Sequence, residues 1–247
     1  PGFSGADIAN VCNEAALTAA RKNKSSIDMS DFLDAVDRIV GGIERKKTIM
    51  TKSEKELIAY HEAGHTLVGW LLPDASPVLK VTVIPRGQAL GLTWNLPDER
   101  VIQSRDQLMA ELCVLMGGRA AEEIHSGVPC SGALNDLERL TRLAYAMVSY
   151  YGMNERIGNI SFYDSTGERG FDLTKPYSEK TATAIDEEVK KLVDEVHERT
   201  LKLIKEHADG FEQLARELID KEVVLAEDIE RILGPKAGKH GEERFEE

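Results

Sequence analysis

The sequence predicts a mainly α fold with one small β-sheet. Apolar positions recur at helical spacing over most of its length. Several of these runs open on a serine followed three residues later by an acid or amide, the signature of a capping box. The apolar and polar alternation of a half-buried strand is prominent only around residues 78–84.

Ser4 with Asp7 opens a first helix, whose apolar face runs through Ile8, Val11, Cys12, Ala15, Ala16 and Ala19. A second helix from about Met29 to Val40 carries Phe32, Leu33, Val36, Ile39 and Val40, with Ser30 as the expected cap and Gly41-Gly42 as the stop. Two helices this short need more core than they carry. Residues 41–51 hold a glycine pair and the basic cluster Arg45-Lys46-Lys47, which reads as a linker and puts a boundary near residue 50.

Ser53 with Glu56 then reads as a capping box. Leu57, Ile58, Leu67, Val68 and Leu71 keep helical spacing and Pro73 closes the segment, which gives one helix from about 54 to 71. Residues 78–84 and 90–96 form an expected hairpin or edge pair around Pro85-Arg86-Gly87. Ser104 with Gln107 opens a helix to about Met116 that is expected to stop at Gly117-Gly118, with a short second helix over Arg119–His125.

After a loop at 127–132, Asn135–Tyr151 reads as a long helix ended by Gly152. The Gly-, Asp- and Ser-rich stretch 158–175 holds one short strand candidate, Ile160–Tyr163, and a tip expected to be mobile. From Ser178 a long helix carries a narrow seam through Ala182, Ile185, Val189, Leu192, Val196 and Leu203, and shorter helices follow near 209–220 and 226–233. The charges Glu187, Glu188, Lys190, Lys191, Asp194 and Glu195 on that helix read as a solvated face. Residues 238–247 are polar, lack a core pattern and are expected to be a disordered tail.

At 247 residues and 42% hydrophobic content the chain can bury a sizeable core. A net charge of -12 argues against a nucleic-acid partner, because phosphate binding needs a basic face. No apolar stretch approaches the roughly 18 residues that cross a bilayer, so a soluble chain is expected. Pro1-Gly2-Phe3-Ser4-Gly5 lacks the basic start and apolar core of a signal peptide and reads as a loop within a longer protein. Cys12, Cys113 and Cys130 are odd in number and form no C-x-x-C pair, which argues against a disulfide framework and a thiolate-ligated zinc and for a reducing compartment.

The chemistry concentrates in Tyr60-His61-Glu62-Ala63-Gly64-His65, an H-E-x-x-H motif. On a helix, residues four apart are neighbours on one face, so both imidazoles can reach one metal ion. Glu62, one position on from His61, points beside the metal, where it can take a proton from water as a base. With 6 histidines in 247 residues, chance supplies this motif only about 0.01 times per chain. A catalytic zinc takes three protein ligands and leaves a fourth position open. Residues 68 and 71 are Val and Leu, which excludes the class with a third histidine in the same segment. A downstream carboxylate remains: Glu99, Glu111, Glu122, Glu123, Asp136 or Glu138, with Asp74 and Asp98 in turns. Spacing alone does not choose among them. Asp136, at the start of a helix, taken alone reads as a cap, and Glu122 and Glu123 are its rivals.

The chain resembles the FtsH family of membrane-anchored, ATP-dependent zinc proteases, which includes the mitochondrial AAA proteases. The likeness rests on Gly2-Phe3-Ser4-Gly5-Ala6-Asp7 with Asn13-Glu14-Ala15-Ala16, on His61 to His65, and on Lys80-Val81-Thr82 to Pro85-Arg86-Gly87. It continues through Gly117-Gly118-Arg119 with Glu122-Glu123 and Gly132-Ala133-Leu134-Asn135-Asp136-Leu137. Cys130 departs from the Ser or Thr usual in that family two residues before the Gly-Ala step.

The resemblance implies one zinc ion per chain on His61, His65 and Asp136, Glu62 as base, and Glu122 beside the site orienting a ligand histidine. It implies three regions: the end of an AAA-type ATPase lid subdomain over 1–50, a mostly helical zinc-protease domain over 51–234, and a polar tail over 235–247. ATP is expected only through an ATPase module outside this chain, since no G-x-x-x-x-G-K-[ST] loop occurs. The expected substrates are unfolded or membrane proteins, and the expected assembly is a membrane-anchored homohexamer with this part facing the cytoplasm. Residues 90–96 are a candidate strand for holding substrate by main-chain pairing. The competing expectation is a ring-forming oligomerisation module, its long helix assembling the ring, in which zinc is structural and a fourth protein ligand closes the site.

Overall fold

The computed structural model describes residues 3–44, 50–85, 90–95, 102–163 and 176–238. Helix α1 (Gly5–Arg21) opens on the expected reciprocal cap, with Ser4 accepting from the Asp7 amide and Asp7 accepting from the Ser4 amide. Helix α2 (Met29–Gly41) is capped by Asp28, not Ser30. The Asp28 carboxylate accepts from the Ser30 amide at 3.0 Å, and a charged acceptor suits the positive end of a helix better than a hydroxyl. The two helices share a small core of Val11, Ala15 and Ala35, flanked by Phe32, Val36 and Ile39.

Helix α3 (Lys52–Leu71) carries the H-E-x-x-H motif. Its cap is Thr51 with Glu54, not Ser53 with Glu56; the same reciprocal pattern occurs two residues earlier. From Ala59 to Trp70 nearly every side chain is buried, because α3 packs on α4 (Arg105–Ser126), α7 (Ala208–Lys221) and strand β1 (Val78–Thr82). Such a helix is enclosed on most sides and carries little amphipathic signal.

Helix α4 runs unbroken through Gly117-Gly118, where a stop was expected. The glycines serve a helix crossing. A Cβ at Gly64 would lie 2.3 Å from the Gly117 carbonyl oxygen, and one at Gly117 would lie 2.8 Å from the Gly64 carbonyl oxygen. The two backbones touch there, and any side chain would hold α3 and α4 apart.

A short 3-10 turn (Ser131–Ala133) leads into α5 (Leu134–Ser149), followed by α6 (Glu179–Glu206), α7, strand β3 (Val223–Leu225) and α8 (Ala226–Leu233). Strand β2 (Leu92–Asn95) pairs antiparallel with β1, as the sequence suggested. The sheet order is β2-β1-β3, with β2 at an edge. The three-residue β3 pairs antiparallel with β1 and was too short to read from the sequence. No strand forms at 160–163. The Phe162 amide donates to the Ser149 carbonyl at 2.9 Å, and the Phe162 ring packs against Tyr177, so these residues cover the core as irregular chain.

The chain past α8 returns to α3. Trp70 Nε1 donates to the Gly234 carbonyl at 2.8 Å, and Lys236 Nζ donates to the carbonyls of Gly69 and Leu72 at 2.9 and 3.3 Å. A cation thus meets carbonyls left over at the end of α3. Among the described residues no helix is long and apolar enough to cross a membrane. The cluster 45–47, the turn at Arg86-Gly87, Leu96, the tip 164–175 and the tail from 239 lie outside the described residues.

Candidate metal centre

One turn apart on α3, His61 and His65 turn their Nε2 atoms toward each other at 3.0 Å. Asp136, in the first turn of α5, brings Oδ2 to 3.3 Å from His61 Nε2 and 3.4 Å from His65 Nε2. Among the described residues these three side chains form the one cluster able to hold a metal ion, with their ligand atoms within 4.8 Å of one another. Asp136 does not cap α5; the N-cap is Ala133, which makes no side-chain cap bond.

The opposite ring nitrogens fix the tautomers. His65 Nδ1 lies 2.7 Å from the Val114 carbonyl, which can only accept, so Nδ1 carries the proton and Nε2 keeps a lone pair. His61 Nδ1 lies 2.9 Å from Glu122 Oε1. Burial would push the Glu122 carboxyl up, but the bond from His61, the Cys130 amide on Oε2 at 3.0 Å and Arg119 nearby hold it below its ordinary value, so it stays an acceptor. Two imidazole Nε2 atoms, each able to turn a lone pair toward a cation, and a carboxylate oxygen therefore converge.

Such a convergence is costly away from water unless a positive charge sits within it. Without a metal, a proton on His61 supplies that charge, and a bound cation would take its place. Burial alone would lower His61, yet its bonds to Asp136 and Glu122 and the charge of Glu62 outweigh burial and lift it to about 10. Asp136 is likewise pushed up by burial and pulled well below the usual carboxylate range by the two histidines.

Glu62 lies beside this point, buried, with its pKa raised first by burial and lowered in part by the charges of His65 and His61. Its Oε2 accepts from the Thr93 hydroxyl of β2 at 2.8 Å. Gly118 gives His61 its space, since a Cβ there would lie 2.3 Å from His61 Cε1. The Gly117-Gly118 pair thus lets the helices touch at one residue and admits an imidazole at the next.

The family model for peptidase family M41 matches residues 48–232. The chain belongs to peptidase family M41. A second model, the AAA+ lid domain, matches residues 1–34 of this M41 chain. The ATP-dependent zinc metalloprotease FtsH of Parabacteroides distasonis is 53% identical over 96% of the chain and 34% of its own length. Its counterpart in Rhodothermus marinus is 51% identical over 96% of the chain and 34% of its own length. That of Chlorobium luteolum is 46% identical over 100% of the chain and 35% of its own length. The chain thus spans about a third of the curated relatives it matches.

In the M41 chain the carboxylates that spacing left open separate by location. Asp136 faces the histidines and Glu122 backs His61, whereas Glu123 pairs with His197 at 3.0 Å and Glu138 with Arg142 at 2.6 Å. Glu99 and Asp98 lie outside the described residues. Three participants were not recognised as such from the residue pattern. The Val114 carbonyl is backbone, Thr93 reads as an ordinary strand residue, and Gly118 reads as a helix stop.

Proposed function

We propose that this chain is the peptidase part of a zinc-dependent endopeptidase, with His61, His65 and Asp136 as metal ligands and Glu62 as general base. The observation that carries the reading is the convergence of two imidazole Nε2 atoms and one carboxylate oxygen. The donor set fits zinc, which takes imidazole nitrogen and carboxylate oxygen together, and three protein ligands leave a coordination position for chemistry. A structural zinc would call for a fourth protein ligand, and among the described residues the cluster has three.

When bound, zinc supplies a Lewis acid that polarises a carbonyl and makes water acidic near neutral pH. The chain's own groups do the rest. Glu122 and the Val114 carbonyl hold both imidazoles with Nε2 turned inward. Glu62 takes the proton from the attacking water and returns it to the leaving amine, a role suited to a carboxylate whose pKa burial has raised. Edge strand β2 offers substrate a partner for main-chain hydrogen bonds, which accepts many sequences and suits unfolded polypeptides.

The same proposal divides the chain into lid helices over 1–50, a peptidase domain over 51–234 and a polar tail over 235–247, with the two family-model matches supporting the first boundary. The relatives' names support coupling to ATP in the full-length protein. The family likeness supports a membrane-anchored homohexamer that degrades unfolded or membrane proteins, this part facing the cytoplasm. In the full-length protein Glu62→Gln is expected to retain zinc and lose cleavage of unfolded casein. Undiminished cleavage by that variant would overturn Glu62 as base.

A further inference from the structure

We infer that Thr93 is a positioning residue for Glu62, holding one carboxylate oxygen so that the other is presented for proton transfer. The inference rests on the reading of Glu62 as general base. A buried glutamate has three side-chain torsions to fix, and general-base catalysis requires its oxygen within hydrogen-bond reach of the proton it takes. Among the described residues the Thr93 hydroxyl is the one hydrogen-bond partner of this carboxylate, on Oε2 at 2.8 Å.

The hydroxyl's single hydrogen is available for that bond. The nearby Thr66 hydroxyl lies 3.3 Å from the Thr93 oxygen but spends its own hydrogen on the Glu62 carbonyl at 2.7 Å. Both threonines thus secure the same residue, Thr66 at its backbone and Thr93 at its reactive end. A hydrogen bond to a charged oxygen is shorter and stronger than a neutral one, which gives it the hold that positioning needs.

The other oxygen faces the backbone just before that strand. A Cβ at Gly91 would lie 2.6 Å from Glu62 Oε1 and 2.7 Å from its Cγ. Thr93 therefore grips Oε2 while Gly91, two residues earlier and lacking a Cβ, leaves room for Oε1. For the strand alone valine would serve as well as threonine at 93, since both are β-branched and nearly the same size. The hydroxyl is what the carboxylate uses.

The test compares Thr93→Val, Thr93→Ser and Gly91→Ala in the zinc-loaded full-length protein, reading kcat and KM for unfolded casein together with zinc content and thermal stability. Thr93→Val should lower kcat roughly 10- to 100-fold with KM and bound zinc unchanged, and Thr93→Ser, which keeps the hydroxyl, should restore most of it. Wild-type kcat in Thr93→Val, or equal losses in the valine and serine variants, would overturn the inference. Should Thr93→Val fail to fold, Thr93→Ala decides: a fall in kcat with zinc bound that Thr93→Ser does not share supports the clamp, and an unchanged kcat overturns it, while Gly91→Ala reports only how much room Glu62 needs. Glu62→Gln run alongside separates the claims, since an active Glu62→Gln would refute the base itself, whereas an inactive Glu62→Gln beside a fully active Thr93→Val refutes only the clamp.

Discussion

The helix pair α1–α2 and the helical body around α3 bury charge in different company. In the pair, Asp31 is fully buried, and Lys22 and Lys24 reach it at 3.1 and 2.9 Å from partly exposed positions. Its apolar core is little more than Val11, Ala15 and Ala35, while Ile8, Leu17, Met29, Leu33 and Val40 lie exposed. In the body, Glu62, His65 and Glu122 are buried beside a continuous core that includes Leu67, Val68, Leu112, Leu140, Ile185 and Leu214. The two regions touch where Lys80 of β1 pairs with Asp37 of α2 while lying over the Trp94 ring.

The difference teaches what a strained polar cluster requires. Converging imidazoles and carboxylates cost folding energy, and a region with a surplus of apolar burial can hold them in place. The pair has no such surplus, so its buried acid is neutralised on the spot by flexible lysines. Its stability should follow pH and salt closely, whereas the body, whose Asp136 and Glu122 are also depressed, has a large apolar core in reserve as they protonate.

The largest expected effect breaks the body at its tightest point. Gly64→Val would drive a branched side chain into the Gly117 backbone, and a loss of about 3 kcal/mol or more is expected with bound zinc gone. Denaturant unfolding and metal analysis would measure both. Unchanged stability and zinc content would mean that the body yields as readily as the pair.

Glu122→Gln ranks next and sharpens the comparison, because it leaves packing almost untouched. The amide still fills the space but offers one acceptor where the carboxylate has two, so zinc affinity should fall roughly 10- to 100-fold, while the body without metal should lose only about 1–3 kcal/mol for the donor left unmatched. Competition with a chromogenic chelator reads the affinity, and wild-type affinity would refute the orienting role.

The smallest effect belongs to the pair. Asp28 is held below its ordinary value by Ser30 and Lys24, and Asp31 by Lys24, the Asp28 amide and Lys22 in opposition to burial. A depressed acid stabilises above its unfolded pKa of about 4 and loses that contribution as pH falls through its folded value. Lys22 and Lys24 are raised by the same aspartates, so their contribution is lost only as pH climbs above roughly 10. Amide exchange at Ala15 and Ala35 should therefore lose protection on acidification before that at Ala63 and Leu67. Simultaneous loss in both regions would contradict the contrast.

Local rules made most helices legible, because caps and apolar period are short-range properties; Ser4 with Asp7 and Ser104 with Gln107 are cases where the cap seen is the cap expected. Where two cap patterns lay close together, as at Thr51 and Ser53, the sequence could not rank them. Gly117-Gly118 misled because a glycine pair that ends a helix and one that admits a neighbouring helix are the same two letters. The histidines were legible because both lie on one helix. Asp136 was not, because the 3-10 turn and α5 bring it to α3 from 71 residues further along than His65, and only the family likeness selected it. Thr93 and the Val114 carbonyl depend on strand and helix placement, which no residue pattern encodes.

The central claim is that three protein atoms, and no fourth, hold the metal. Anomalous diffraction at the zinc edge from crystals of the zinc-loaded protein tests it directly. The expected result is one zinc ion bound by His61 Nε2, His65 Nε2 and an Asp136 carboxylate oxygen, with Glu62 alongside and unbound. A fourth protein ligand, or zinc held at another place in the chain, would contradict it.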